Sequence, residues 1–348
     1  MSDRRIVIIA GGTGQRFWPV SRPERPKQFL KLADPERSLL QQSFERAQSI
    51  VGEANVFVQT TPGLTQATRE ELPHLLHEQV DAEPARRNTM GAVIWAVARL
   101  IAASGDGWRK VELGILTADH RIDPLSEFQR TVETAFKIAA REKALVTIGI
   151  PPDRADTGYG YIEVGDTIEG GHRVRRFREK PNRETAESFL DQGGFYWNSG
   201  MFFFTLDTFD RELAHAQPQM HEVLHRIVQE MLSQNSGAAV AVFSELQSDP
   251  IDIALMERAK SVAVVPSTFQ WDDLGTWDSI SRSLPRDGSA NVAIGRARFD
   301  DSTECVVYNE ESGVRVNLLG LEDLCVVVTG DEILVCPRDR SQDVKRLT

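Results

Sequence analysis

The segment at residues 6–30, IVIIAGGTGQRFWPVSRPERPKQFL, constrains the fold of this chain more than any other. Ile6, Val7, Ile8, Ile9 and Ala10 form an apolar run without alternation, the pattern of a strand buried on both faces. It opens directly into Gly11, Gly12 and Gly14, with Arg16 just behind them and Lys27 further on, between Pro26 and Gln28. Adjacent backbone N–H groups in a glycine-rich loop can close on an oxyanion. Two fixed cations beyond the loop suit a polyphosphate better than a single phosphate. The tract therefore has the makings of a site that grips a nucleoside triphosphate by its phosphates.

Two other glycine loops are excluded by their residues. A P-loop requires G-x-x-x-x-G-K-[ST], and no Lys-Ser or Lys-Thr follows these glycines. The dinucleotide fingerprint G-x-G-x-x-G, tried from Gly12 and Gly14, meets Phe17 at its third position. What remains, G-G-x-G-x-R followed by P-K-Q, resembles the signature of the sugar-1-phosphate nucleotidyltransferases. The longer form, with Trp18-Pro19, Ser21-Arg22 and Pro26-Lys27-Gln28-Phe29, is similar to the mannose-1-phosphate guanylyltransferase branch of that family.

Composition is compatible with this. The chain has 348 residues, long enough for a large domain plus a smaller one. A net charge of −11, with no long basic tract, argues against a nucleic-acid surface. An acidic protein that handles anions must focus its cations locally, as residues 6–30 do. The N-terminal apolar run is too short for a signal peptide and ends in glycines. The most apolar longer stretch, 92–103, is interrupted by Arg99 and falls short of a membrane span. Cys305, Cys325 and Cys336 lie in apolar β-like runs without C-x-x-C spacing and read as buried, reduced thiols of a cytoplasmic protein.

Strand-like and helix-like segments alternate from the phosphate loop to about residue 150, which predicts an α/β fold: a Rossmann-like, mostly parallel mixed sheet with helices on both faces. Ligands of such sheets bind beyond the carboxyl ends of the strands. Shorter β segments at 159–204 read as a sugar-binding subdomain, about 151–205, on the same sheet. Helical spacing returns between Leu213 and Met231, and the polar stretch 233–238 reads as a surface loop. The catalytic domain is expected at 1–285. At 286–348 only short β runs occur, without a convincing repeat, and these predict a separate β module. The family resemblance implies an abbreviated left-handed β-helix there, which often contributes to dimer contacts, so a homodimer is expected.

The resemblance also assigns the chemistry. Asp119, in L-T-A-D-H, and Asp273, in W-D-D-L-G, match the aspartates that hold Mg²⁺ in the family, although either alone would more often be a helix cap. Mg²⁺ is the expected cofactor, since transfer from a triphosphate needs charge neutralisation. Glu83, in E-P-A-R-R-N-T, stands in the loop that reads the base; one carboxylate can accept from both N1–H and N2–H₂ of guanine, a donor pair that no other common base offers. Two roles stay open for Arg87 and Asn88, contact with the nucleotide or ordering of this loop, with Asn88 also a candidate cap. Glu179-Lys180, Asn198 and Gly160 are expected to hold the sugar phosphate. Arg16 and Lys27 are the expected catalytic cations. The implied substrates are GTP and mannose 1-phosphate, with no nucleic acid and no membrane. Two alternatives share most of these residues: a guanylyltransferase for another hexose 1-phosphate, and a silent GDP-mannose-binding regulatory subunit. The full set of Arg16, Lys27, Asp119 and Asp273 argues against the silent subunit.

Overall fold

The computed structural model describes residues 3–12 and 14–348; Met1, Ser2 and Thr13 lie outside the described residues. The apolar run becomes β1 (Arg4–Ile9), whose Ile6, Val7 and Ile8 are buried. It is flanked by β2 (Val56–Thr60), β3 (Val80–Ala82) and β4 (Glu112–Thr117) in the order β3-β2-β1-β4, all parallel. A strand with parallel neighbours on both edges has helices over both faces, which is why β1 reads apolar throughout. A short strand, β5 (Arg121–Asp123), leaves the sheet after β4.

The remaining strands are β6 (Leu145–Ile150), β7 (Tyr161–Ile168), β8 (Gly171–Arg178), β9 (Phe195–Thr205) and β10 (Val262–Pro266). They complete a nine-stranded sheet as β9-β6-β10-β8-β7. β9 runs antiparallel to both β4 and β6 and lies between them. The 159–204 segment therefore contributes a central strand as well as an edge hairpin. Finally β11 (Gln270–Asp272) pairs with β5 outside the sheet, register Trp271↔Ile122, and brings the second aspartate motif back beside the first.

Helices α1 (Leu39–Val51), α2 (Thr65–Glu71), α3 (Asn88–Ser104) and α4 (Leu125–Glu142) follow the early strands. Ser38 and Gln41 form a capping box that starts α1. In α4, Phe128, Val132, Ala135, Phe136 and Ala139 make the buried stripe of an amphipathic helix. Beyond α5 (Arg183–Gln192) come α6 (Leu206–Ala216), α7 (Pro218–Leu232) and α8 (Ser236–Phe243). α6 and α7 are separate because Pro218, lacking an N–H, starts a new helix after Gln217. The stretch expected as a loop at 233–238 ends early: the Asn235 side chain accepts from the Ala238 N–H at 3.2 Å and starts α8. One core joins α3, α6, α7 and α8 to one sheet face, and a second joins α1 and α4 to the other.

After α9 (Trp277–Ser283) the chain coils through β12 (Val292–Ile294), β13 (Ala297–Asp300), β14 (Val306–Asn309), β15 (Val316–Leu319), β16 (Leu324–Thr329) and β17 (Glu332–Pro337). β12, β14 and β16 stack parallel on one side and β13 and β15 on another, while β17 closes antiparallel on β16. This is a β-helix-like domain. Cys305 and Cys325 are buried and Cys336 is only half-buried; all three are free. Cys336 faces outward more than expected because β17 is the edge strand.

A third core crosses between the two units. Trp277, fully buried, meets Phe17 edge-on at 4.9 Å and Tyr308 at 5.1 Å, and its indole N–H donates to the Trp18 carbonyl at 3.0 Å. The loop behind the glycines is thus packed against α9 and the β-helix-like domain together. None of the described helices is long and apolar enough to cross a membrane.

Candidate active site

The glycine loop leaves β1 and is tied down from below. The Gln28 amide donates to the Ala10 carbonyl at 2.9 Å and to the Gly12 carbonyl at 3.3 Å, so the P-K-Q segment fixes the loop's shape. Gly14 has φ +60°, a backbone conformation that disfavours other residues. A Cβ there would stand 2.5 Å from Lys27 Cβ and 2.6 Å from its backbone nitrogen. Only glycine lets the loop close over Lys27.

Lys27 is buried, with 8% of its side chain exposed. Its ammonium donates to Asp119 Oδ2 at 2.8 Å and also to the Asp273 carbonyl. Asp119 follows the end of β4, where a parallel sheet presents ligand-facing residues. Burial works against its ionisation, but Lys27 and His120 more than offset this and hold the carboxyl below its ordinary range. With 34% of its side chain exposed, it still faces the cavity. Burial pushes the neighbouring His120 down to about 4, so the imidazole is neutral near pH 7. Its Nδ1 accepts from the Trp271 indole N–H at 3.1 Å, which leaves the proton on Nε2, 3.8 Å from Asp119 Oδ1. Asp273 Oδ1 accepts from the Tyr159 hydroxyl at 2.7 Å, while burial and Asp273 itself push that phenol far up.

Lys27, Asp119, His120 and Asp273 border one cavity of about 540 Å³, together with Arg16 and, from the far end of the chain, Gln342 and Lys345. The Arg16 guanidinium donates to Gln342 Oε1 at 3.4 Å. A second cavity, about 330 Å³, is bordered by Gly11, Gly12, Glu83, Arg86 and Asn88 and shares Asp119 with the first. At its head Glu83 is 6% exposed, and its Oε2 has no hydrogen-bond partner. Burial pushes this carboxyl up to about 7, although Arg86 and the backbone and charge of Arg87 act in the opposite direction.

The expected sugar-phosphate residues form a separate group. The Asn198 N–H donates to the Gly160 carbonyl at 2.8 Å. A Cβ on Gly160 would stand 2.6 Å from Glu179 Oε2, so the carboxylate packs directly on the glycine. Asn198 Oδ1 accepts from the Thr147 hydroxyl at 2.9 Å, and Nδ2 donates to Asp252 Oδ1 at 2.7 Å. Lys180 pairs with Glu179 and is otherwise exposed. Burial first, then Glu179, pushes Asp252 up to about 6.

Of the two roles open for Arg87, the structure shows a contact for the second, ordering of the loop. The Arg87 guanidinium donates to the Ser244 carbonyl at 2.8 Å and does not border the nucleoside cavity; Arg86 does. Asn88 borders that cavity with φ +58°, and its side chain accepts from the Thr89 N–H at 2.9 Å. Residues that sequence reasoning missed are Arg86, His120, Tyr159, Asp252, Trp271, Gln342 and Lys345. His120, Trp271 and Arg86 stand inside motifs already noted, and Tyr159 adjoins Gly160, so a signal existed for these four. No local pattern marks Asp252, Gln342 or Lys345.

The nucleotidyl transferase model matches residues 5–287, and the MannoseP isomerase/GMP-like beta-helix domain model matches 300–348. The chain belongs to the nucleotidyl transferase family. A mannose-1-phosphate guanylyltransferase of Escherichia coli is 35% identical over 347 residues, 98% of this chain and 72% of the relative. The alginate biosynthesis protein AlgA of Pseudomonas aeruginosa is 36% identical over 349 residues, 98% of this chain and 70% of the relative. A crystal structure from Thermus thermophilus, described as a mannose-1-phosphate geranyltransferase, superposes with a TM-score of 0.89 at 31% identity, covering 99% of this chain and 98% of that one.

For this nucleotidyl transferase, closure of the loop over Lys27 is a requirement that can be tested. Gly14→Ala is expected to cost about 1–3 kcal/mol of stability, the range for a strained backbone position. Turnover should fall much further, by at least about 100-fold, because Lys27 must shift. Thermal denaturation and kcat on the same preparation separate the two effects. Near-normal turnover would show that the close contact is dispensable.

Proposed function

We propose that the chain transfers GMP from GTP to α-D-mannose 1-phosphate, giving GDP-mannose and pyrophosphate. The observation that carries this reading is Glu83: a buried carboxylate whose Oε2 has no hydrogen-bond partner, in a cavity that shares Asp119 with the one bordered by Lys27 and Arg16. Guanine offers two adjacent donors to such a carboxylate. The names of the relatives supply the sugar.

In this reading a phosphate oxygen of mannose 1-phosphate attacks the α-phosphorus of GTP in line. The attacking group is already an anion, so no protein nucleophile or base is needed. Lys27 lies beside the α-phosphate, while Arg16, Lys345 and the loop amides hold the β- and γ-phosphates that leave. The Gly160, Glu179 and Asn198 group holds the mannose hydroxyls, with Asp252 and Thr147 orienting the Asn198 amide and Lys180 near the sugar's phosphate. Catalysis is positioning plus fixed charge.

Asp119 and Asp273 fit a Mg²⁺ ion by their chemistry: two carboxylates, hard oxygen donors, on one cavity roomy enough for retained waters. When bound, Mg²⁺ neutralises charge on the α-phosphate and the departing pyrophosphate. The same reading takes 1–285 as a Rossmann-like catalytic domain and 286–348 as an abbreviated left-handed β-helix. It also takes the protein as a cytoplasmic homodimer; Ile333 and Val335, 67% and 59% exposed on the edge strand β17, support a contact through the tail.

The reaction is tested by pyrophosphate release with each of GTP, ATP, UTP and CTP crossed with mannose, glucose and fucose 1-phosphates, with and without Mg²⁺. GTP with mannose 1-phosphate and Mg²⁺ should be preferred; release with another pair at equal or greater rate would overturn the assignment.

Glu83 adds a pH signature. Guanine's donors stabilise the carboxylate, so GTP binding expels the proton that burial retains up to about pH 7. Below that value kcat/KM for GTP should fall by up to about tenfold per pH unit, relative to Glu83→Gln, in which this group does not titrate. In the ligand-free protein the sign reverses. The raised pKa favours the folded state below the ordinary carboxylate range, and that contribution is lost as pH climbs through about 7. Parallel pH profiles for wild type and Glu83→Gln would exclude Glu83 from base reading.

A further inference from the structure

Outside the active site, three side chains converge where α6 meets α7. Asp210 is on α6; His221 and His225 are one turn apart on α7. Asp210 Oδ1 lies 2.9 Å from His221 Nε2 and 2.6 Å from His225 Nε2, and the two Nε2 atoms are 3.1 Å apart. Their side chains are 18%, 28% and 39% exposed, so the point of convergence is partly shielded yet reachable from solvent.

Hydrogen bonding alone cannot satisfy this triangle. A neutral imidazole nitrogen is either a donor or an acceptor, and a carboxylate oxygen only accepts. Bonds from both histidines to Asp210 require a proton on each Nε2. The 3.1 Å contact between those atoms then sets two N–H groups against each other. Removing one proton repairs that contact and sets a nitrogen lone pair against the carboxylate. Every tautomer leaves one side of the triangle repulsive. A cation at the centre resolves all three sides, because each atom then directs a lone pair at it.

We propose that Asp210, His221 and His225 form a binding site for a borderline divalent metal ion of the zinc class. Two imidazole nitrogens and one carboxylate oxygen are a donor set suited to Zn²⁺, Co²⁺ or Ni²⁺ rather than to Mg²⁺, which prefers oxygen ligands alone. Ligands at about 2.0 Å in a tetrahedron stand roughly 3.3 Å apart, close to the separations here. Three protein ligands leave one position for water. The ion would pin α6 to α7 across the break at Gln217, a structural role separate from group transfer.

Co²⁺ is the probe, added to the full chain in excess Mg²⁺ so that the oxygen-rich active site stays filled. One equivalent should bind with the strong visible absorption of a four- or five-coordinate nitrogen-containing site, and Zn²⁺ should displace it. The double substitution His221→Gln and His225→Gln should lower the affinity by more than about 100-fold, beyond what loss of an outer partner causes. Its Mg²⁺-dependent turnover should be unchanged, which also reports that the variant folds. Asp210→Asn, which keeps the size and polarity of the side chain, provides a second variant and should weaken binding as well. Equal Co²⁺ affinity in wild type and the variants, or only the weak spectrum of an octahedral oxygen site, would overturn the proposal.

Discussion

One ammonium group holds the catalytic centre together. Lys27 Nζ joins the segment behind the glycine loop to Asp119 at the end of β4 and to the backbone of Asp273 just after β11. The three segments are far apart in sequence, and each carries a group that borders the same cavity. A buried cation needs partners, and Asp119, the carboxylate proposed for the metal, is one of them. In the proposed reaction substrate binding would be an exchange, in which phosphate oxygens take over Lys27 and release Asp119 to the cavity. The charges are thereby in place before any substrate arrives, which is what electrostatic catalysis requires.

The β-helix-like domain takes part in that preorganisation. Trp277 packs between Phe17 and Tyr308, so the turn carrying Arg16 rests on the tail. Gln342 reaches Arg16, and Lys345 borders the phosphate cavity. A domain that resembles an appendage in sequence thus completes the site and adds a cation where the leaving pyrophosphate would lie.

Much of the site was readable in the sequence because its chemistry demands particular residue types at short, fixed spacing. Gly14, Arg16, Lys27, Asp119 and Asp273 all converge on one cavity. Glu83 and Asn88 border the other. What escaped depends on direction or on distant packing. Arg86 and Arg87 are indistinguishable in sequence; Arg86 borders the cavity while the Ser244 carbonyl, contributed after α8, holds Arg87. Asp252 holds the Asn198 amide and has no motif of its own. β9 carries a strand pattern, but its insertion between β4 and β6 is long-range pairing that periodicity does not encode. The tail hides its repeat because it has too few rungs for a period to emerge, though the register steps Ala297↔Val316 and Val306↔Cys325 are equal. The Asp210, His221 and His225 triangle exists only where two helices pack, so its aspartate could not be joined to the histidines beforehand.

Direct displacement with no covalent protein intermediate is the central claim, and stereochemistry at phosphorus tests it most directly. His120 is the nearby side chain that a covalent route would recruit: it is neutral and adjoins Asp119. GTP made chiral at the α-phosphorus with sulfur, reacted with mannose 1-phosphate, distinguishes the routes. A single in-line attack inverts the configuration in the GDP-mannose formed. Retention would mean two successive displacements, and it would contradict a site that works by positioning and fixed charge alone.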